Sequence, residues 1–185
     1  MRCYLAIVLP KSLIKEIFDY CQEFEFGPNF RPAKAKLSHI TFEFFSDLPE
    51  DLYKKIAIQL EAELSLIREF EIVLGEYDTF PNRIHSKILI RKVIRSKPIY
   101  ALKNIIDSVK DNYLLPTNRR KFTPHITIGR WSEPYHLEKS ILNNMNNLRK
   151  TPKFVAKEMN FIKSNLTQAG TVHSKLNQFA FENED

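Results

Sequence analysis

The sequence contains LSHITFEFF at residues 37–45 and RRKFTPHITIGR at residues 119–130. Each stretch holds the same His-x-Thr motif, at residues 39–41 and 125–127. Random placement of 5 histidines and 8 threonines among 185 residues gives about 0.2 copies, so two copies are a specific signal. Apolar and polar residues alternate around both copies, which predicts two β-strands. Since side chains two residues apart share a face of a strand, each motif presents an imidazole beside a hydroxyl.

Hydrophobic periodicity predicts an α+β chain in which helices and strands alternate. Apolar residues at helical spacing indicate four amphipathic helices, at about residues 11–24, 47–67, 96–109 and 137–148. The predicted strands are at about residues 4–9, 38–45, 69–78, 84–94, 124–131, 154–163 and 171–181. The order of helix, basic loop, polar-faced strand and helix occurs twice, so the chain contains a coarse duplication centred on the two motifs.

The composition, with 43% hydrophobic and 27% charged residues, is that of an ordinary globular protein of one domain. No apolar run approaches the roughly 20 residues of a membrane helix, so we expect a cytosolic protein. Cys3 and Cys21 have no cysteine at metal-ligand spacing, and we expect two buried thiols. The net charge of +6 favours a polyanionic partner.

Basic residues and aromatic residues surround both motifs. The basic residues ahead of the motifs are Arg31, Lys34 and Lys36, then Arg119, Arg120 and Lys121. We expect them to form an electrostatic funnel for RNA, although solvated loops explain any single one. Phe45, Phe80, Phe122 and Trp131 lie near the motifs or in turns, where a base could stack. Of these, Phe45 and Phe122 are the candidates for RNA binding, whereas Phe42 and Phe44 are assigned to the core.

Two imidazoles and two hydroxyls around one phosphate ester favour acid/base hydrolysis. Because histidine has an unperturbed pKa of about 6.5, one ring can accept a proton while the other donates one. Thr41 and Thr127 would hold the phosphate oxygens. Arg130 follows His125 by five residues, an odd offset that directs it to the opposite face unless Gly129 allows a bulge. If such a bulge directs Arg130 to the face of His125, its guanidinium would bind the phosphate.

Other interpretations of the motifs stay open. Each histidine could fill a core and each threonine could simply be a strand former. A zinc site needs three or four ligands, and no Cys-x-x-Cys or His-Glu-x-x-His supplies them, so no metal or other cofactor is expected. The same fold could hold RNA ends without turnover, or the reaction could take place on a cyclic phosphate of a small nucleotide.

The motifs resemble those of the two-histidine (2H) phosphoesterases, and among them the RNA 2′,3′-cyclic phosphodiesterases, also called 2′-5′ RNA ligases. MRCYLAIVLP at residues 1–10 is similar to the family's first strand, and FIKSNLTQAGTVHSKLNQFAF at residues 161–181 to its closing hairpin. The resemblance implies a bilobed, LigT-like α+β fold with pseudo-twofold symmetry, antiparallel sheets lining a central cleft and helices outside. It also implies that residues 1–185 form one domain of two intertwined lobes.

The resemblance further implies hydrolysis of 2′,3′-cyclic phosphate ends of RNA to a 2′-phosphate, without metal or cofactor. Some members also join RNA ends through 2′-5′ linkages without ATP. Carried over to this chain, His39 is the general acid, His125 the general base, and the phosphate is bound by Thr41, Thr127 and Arg130. The expected partner is RNA with a 2′,3′-cyclic phosphate end, and tRNA fragments are among the candidates. The protein is expected to be a monomer and not to associate with membranes.

The chain departs from the family pattern at Glu43, Ser46 and His173. Glu43 and Ser46 stand where the first motif usually has lysine and glycine. Strand alternation places Glu43 on the face of His39 and Thr41, where a carboxylate would repel a phosphate. His173 stands where an aromatic residue, often tyrosine, is common, so altered contacts to the base or ribose are expected.

Overall fold

The computed structural model describes residues 1–116, 121–147, 151–168 and 170–183. Within these residues, nine strands and four α-helices follow the α+β order expected from the sequence. The strands are β1 (Cys3–Val8), β2 (Phe30–Pro32), β3 (His39–Phe45), β4 (Phe70–Phe80), β5 (Ser86–Val93), β6 (His125–Tyr135), β7 (Lys153–Ala156), β8 (Glu158–Thr167) and β9 (Gly170–Ala180). The helices are α1 (Lys11–Cys21), α2 (Glu50–Leu64), α3 (Lys97–Asn112) and α4 (Lys139–Asn146), and a short 3-10 turn covers Ala35–Leu37.

The strands pair antiparallel in the order β7-β4-β5-β6-β3-β1-β8-β9, and β2 pairs with β6 outside this order. The two motif strands, β3 and β6, are neighbours at the centre, where Ile40 pairs with Ile126. This pair joins the two halves of the chain into one sheet. The approximate twofold relation of the halves therefore passes through the two motifs.

The positions of β7 and β8 require the sheet to curl. The sequence predicted one strand at residues 154–163, but β7 ends at Ala156 and β8 begins at Glu158. β7 pairs with β4 at one edge of the order, whereas β8 pairs with β1 near the other edge. Because only Lys157 separates β7 from β8, the sheet must curl so that its two edges come close together. Phe70 and Phe181 close this side, with ring centroids 5.8 Å apart.

The helices cover one face of the sheet and leave the other face for a cleft. Their buried apolar stripes join the same core as Leu5, Ile7 and Ile40 of the central strands. Burying each such side chain contributes about 1.5–3 kcal/mol to folding. Cys3 and Cys21 are free, buried thiols, as predicted. No helix in the described part of the chain is long and apolar enough to cross a membrane.

Candidate active site

The two His-x-Thr motifs meet on the open face of the sheet. The isoleucine of one motif lies opposite the isoleucine of the other in the β3–β6 register. The neighbouring positions therefore place His39 across from Thr127 and Thr41 across from His125. Directly opposed side chains share a face, with Cβ atoms about 4.5–5.5 Å apart. All four side chains line a cleft of about 1030 Å³.

His125 is held in one orientation by its own segment. Its Nδ1 lies 2.7 Å from the carbonyl oxygen of Thr123, which places the ring proton on Nδ1 and the lone pair on Nε2. The ring of Phe80 packs edge-on against it, with centroids 5.0 Å apart. Burial lowers the pKa of His125; the hydrogen bond to Thr123 opposes this, and the positive charge of Arg130 adds to it. His125 is therefore a neutral imidazole near pH 7, the state that a general base needs.

His39 belongs to a cluster of three rings. It stacks on Tyr4, with centroids 4.7 Å apart and 26° between the planes. The Tyr4 hydroxyl lies 3.1 Å from Nδ1 of His173, which also lines the cleft. Burial raises the pKa of Tyr4 to about 12, so the hydroxyl keeps its proton at neutral pH. The centroids of His39 and His173 are 6.5 Å apart, which makes His173 a third imidazole of the site.

A β-bulge in β6 brings Arg130 into the cleft. Successive residues of β5 pair with Gly129 and Thr127, so Ile128 is an extra residue on β6. The bulge resets the alternation and turns Arg130 to the face of Thr127, where it lines the cleft. A Cβ on Gly129 would lie 2.2 Å from the ring of Phe30, so this close approach requires glycine.

An equivalent bulge in β3 brings Phe44 into the cleft. Successive residues of β1 pair with Glu43 and Thr41, so Phe42 is the extra residue. Phe44 lines the cleft and is 44% exposed, and the Arg2 guanidinium lies 5.1 Å from its ring centroid. The assignment of Phe44 to the core was wrong because alternation with a period of two does not continue through a bulge.

Glu43 points away from the cleft, contrary to the expectation from strand alternation. Its carboxylate lies 3.0 Å from the ammonium of Lys110 and 3.2 Å from that of Lys103, both on α3. The side chain is 5% exposed. Glu43 therefore joins β3 to α3 instead of facing the substrate. Among the described residues, the cleft lining contains no aspartate or glutamate.

Three cations besides Arg130 line the cleft. Lys34 and Lys36 come from the segment before β3, as part of the predicted basic funnel. Arg2 also lines the cleft, and the sequence analysis missed it. Because Arg2 lies two residues before Tyr4, extending the alternation of β1 by one step would have found it.

Two other members of the predicted funnel, Arg31 and Lys121, lie outside the cleft lining. Arg31 is exposed and pairs with Arg130 in the β2–β6 register, but it is outside the cleft lining. Lys121 is exposed ahead of β6 and also lies outside the lining. Arg119 and Arg120 lie outside the described residues.

Neither aromatic residue proposed as a base platform lines the cleft. Phe45 is 7% exposed and packs against Phe161, with ring centroids 5.7 Å apart. Phe122 packs against Phe42 and Tyr100, at centroid distances of 5.4 and 5.9 Å. Both belong to the packing on the helical face. Phe45 does so because the bulge in β3 exchanges the faces of the residues that follow it in that strand. Phe44 is the exposed ring near the motifs.

The cleft has the groups that an acid/base reaction on a phosphate ester needs. Two imidazoles can move protons, and two hydroxyls and a guanidinium can donate to non-bridging oxygens. In the described part of the chain, no group of three or more His, Cys, Asp or Glu side chains is placed to hold a metal ion. The fold and these groups together are those of the two-histidine phosphoesterase class.

Comparison with known proteins gives the family. The 2′-5′ RNA ligase superfamily matches residues 15–168 of the chain. The protein therefore belongs to the 2′-5′ RNA ligase superfamily of 2H phosphoesterases. A search of curated proteins finds no significant sequence match.

Solved structures agree on the fold. TT0787 of Thermus thermophilus matches with a TM-score of 0.79 and 19% identity, over 100% of both chains. E. coli LigT complexed with 3′-AMP matches with a TM-score of 0.76 and 18% identity, over 97% of both chains. The PDE domain of MHV ns2 matches with a TM-score of 0.57 and 16% identity, over 95% of this chain and 100% of that one. The LigT-like fold expected from the sequence is confirmed.

Proposed function

We propose that this protein is an RNA 2′,3′-cyclic phosphodiesterase that forms 2′-phosphate ends by two-histidine acid/base catalysis. The observation that carries the proposal is the pairing of Ile40 with Ile126, the central residues of the two motifs, beneath a cleft that both histidines and both threonines line. A phosphate between the two strands meets one imidazole and one hydroxyl from each side. A site for binding alone does not require two titrating groups in this arrangement.

The local contacts of His125 support the role of general base for it, which leaves the role of general acid to His39. In the proposed reaction, Nε2 of neutral His125 takes a proton from water as the water oxygen attacks phosphorus. The bond from phosphorus to O3′ breaks, and protonated His39 gives its proton to O3′. The products are a 2′-phosphate and a 3′-hydroxyl. A 5′-hydroxyl in place of water would give a 2′-5′ linkage by the same proton transfers.

Six cleft residues have proposed roles in attracting and holding the substrate during this reaction. The Thr41 and Thr127 hydroxyls donate to the non-bridging oxygens, and the Arg130 guanidinium pairs with the phosphate charge. Phe44 replaces the aromatic candidates of the sequence analysis as the surface on which the terminal base stacks. Lys34 and Lys36 attract the RNA backbone to the cleft.

The proposal is tested with an RNA oligonucleotide that ends in a 2′,3′-cyclic phosphate, with and without a chelator. Wild-type protein is expected to open the ring equally in both conditions. His39→Ala and His125→Ala are each expected to lose about 10²–10⁴-fold in kcat. The matched control is His85→Ala, because His85 is exposed and outside the cleft. If the wild-type protein shows no turnover and the double His→Ala variant binds RNA as the wild type does, the protein is an RNA-binding module and not an enzyme.

A further inference from the structure

The cleft holds more positive charge than one phosphate needs. The proposed reaction assigns Arg130 to the reacting phosphate, and Arg2, Lys34 and Lys36 also line the cleft. No carboxylate from the described residues lines it to offset these charges. Such a surface favours an anionic ligand that extends beyond the reacting group.

Arg2 and His173 come together on the wall of the cleft farthest from β6 in the strand order. Arg2 immediately precedes β1, and its carbonyl oxygen accepts a hydrogen bond from the Ser164 amide of β8 at 3.0 Å. Ser164 pairs with His173 in the β8–β9 register. The Arg2 guanidinium is directed by its contact with the Phe44 ring, 5.1 Å from the ring centroid. Arg2, ahead of β1, and His173, in β9, therefore lie on either side of β8 and line the same cleft.

Lys34, in the segment before β3, lines the same cleft as Arg2 and His173. Burial lowers the pKa of His173, and the positive charges of Arg2 and Lys34 lower it further, so both cations act on this ring. His173 is therefore neutral near pH 7. In the tautomer that accepts from the Tyr4 hydroxyl at Nδ1, 3.1 Å away, the ring carries its proton on Nε2 and can donate a hydrogen bond from it to an anion.

His173 lies beside the proposed reaction site, and Arg2 and Lys34 line the same cleft. The ring centroid of His173 is 6.5 Å from that of His39, so ligands bound at the two rings would be neighbouring groups of one molecule. A guanidinium, an ammonium and an imidazole N–H suit the oxygens of a phosphate. The structure thus offers a place for a phosphate next to the one that reacts.

We infer that Arg2, Lys34 and His173 form a second phosphate-binding subsite, which selects substrates that carry another phosphate on the nucleotide with the cyclic end. This phosphate is the diester that precedes the terminal nucleotide in RNA, or the 5′-phosphate of a small nucleotide. The inference rests on the proposed function and names the substrate class for it. Nucleosides with a cyclic phosphate and no second phosphate are then poor substrates.

Product binding tests the subsite without requiring turnover. Calorimetry would compare adenosine 2′-phosphate, adenosine 2′,5′-bisphosphate and a dinucleotide with a terminal 2′-phosphate. Wild-type protein is expected to bind one or both of the last two at least about 10-fold more tightly than the first. The preferred one of the two identifies the source of the second phosphate.

Variants assign the preference to these residues. Arg2→Met, Lys34→Met and His173→Gln are each expected to reduce the ratio of affinities for two-phosphate and one-phosphate ligands by about 10-fold. Lys87→Met removes one exposed charge outside the cleft and is expected to keep the wild-type ratio. Equal wild-type affinities for all three ligands, or a preference that survives in the three variants, would overturn the subsite. Absence of cyclic phosphate hydrolysis would instead overturn the proposed function, whatever the affinities.

Discussion

Phe44 and Arg130 occupy equivalent positions in the two halves of the sheet. Each is five residues after the histidine of its motif, and a one-residue bulge turns each into the cleft. The two His-x-Thr pairs are nearly symmetric, so they do not by themselves distinguish the two ends of a substrate. An aromatic ring at one position and a guanidinium at the other break this symmetry and direct the base to one side and the phosphate charge to the other.

Phe44→Ala is expected to weaken substrate binding and to leave folding nearly unchanged. Base–aromatic stacking contributes about 1–3 kcal/mol, so KM for a short RNA with a cyclic end should rise about 5- to 150-fold. The side chain is already 44% exposed, so little packing is lost. Steady-state kinetics and denaturant unfolding measure the two effects.

Phe45→Ala is the matched control, since Phe45 is the adjacent ring and is 7% exposed. It should lower the free energy of unfolding by about 3–5 kcal/mol and leave KM of the folded protein nearly unchanged. If Phe44→Ala destabilises the protein to the same extent, or leaves KM as in wild type, Phe44 is not a base platform.

Activity is expected to persist at pH values at which a histidine with an unperturbed pKa would already be protonated and inactive as a base. The general base must be neutral, so kcat/KM falls as decreasing pH protonates His125. Because burial and the charge of Arg130 hold the pKa of His125 below 6.5, the acid limb of the pH profile should lie below that value. Arg130→Gln removes the charge and should move the limb to higher pH, while Lys87→Gln should not. An acid limb above pH 6.5, or one that Arg130→Gln leaves in place, would argue against His125 as the base.

Glu43→Ala is expected to be strongly destabilising. Lys110, whose side chain is 3% exposed, would keep a buried charge without the carboxylate that lies 3.0 Å away. Breaking such a buried pair costs about 3–5 kcal/mol. Denaturant unfolding should show this loss, and should show a change of only about 0.5 kcal/mol for Glu61→Ala on the exposed side of α2. The double variant Glu43→Ala, Lys110→Met should recover much of the stability; equal effects of Glu43→Ala and Glu61→Ala would contradict the buried pair.

Gly129→Ala is expected to disturb the bulge that turns Arg130 into the cleft. The added Cβ would lie 2.2 Å from the Phe30 ring and 2.8 Å from the backbone oxygen of Arg31, so strand β2 must move. Overpacking of this kind costs about 1–3 kcal/mol. Gly75→Ala is the control, because the nearest atom to its added Cβ would be the Cβ of Lys92, at an ordinary contact distance of 3.4 Å. Similar unfolding free energies and activities for the two variants would show that the close approach at Gly129 is unimportant.

Much of this architecture follows from local sequence patterns. The stripes of α1 to α4 and the alternation in β3 and β6 predicted helices and strands within a few residues of their observed bounds. The repeated motif also predicted which strands would meet. These features depend on periodicity and on residue types, which a single sequence contains.

The same patterns could not predict to which side of the sheet the side chains of Glu43 and Phe44 point. A bulge inserts one residue and exchanges every later side chain between cleft and core. The odd offset from His125 to Arg130 indicated a bulge in β6, and the same offset from His39 to Phe44 exists in β3. Applying the internal duplication would have transferred the bulge to β3 and placed Phe44 in the cleft. The position of His173 depends on the pairing of β8 with β1, a long-range contact without a local signal.

The most direct test of the proposed chemistry follows the phosphorus atom itself. An RNA oligonucleotide with a 2′,3′-cyclic phosphate end would be incubated with wild-type protein and a chelator and observed by ³¹P NMR. The account predicts that the cyclic diester signal is replaced by that of a 2′-phosphate monoester alone. A persistent cyclic signal, or a 3′-phosphate product, would contradict it.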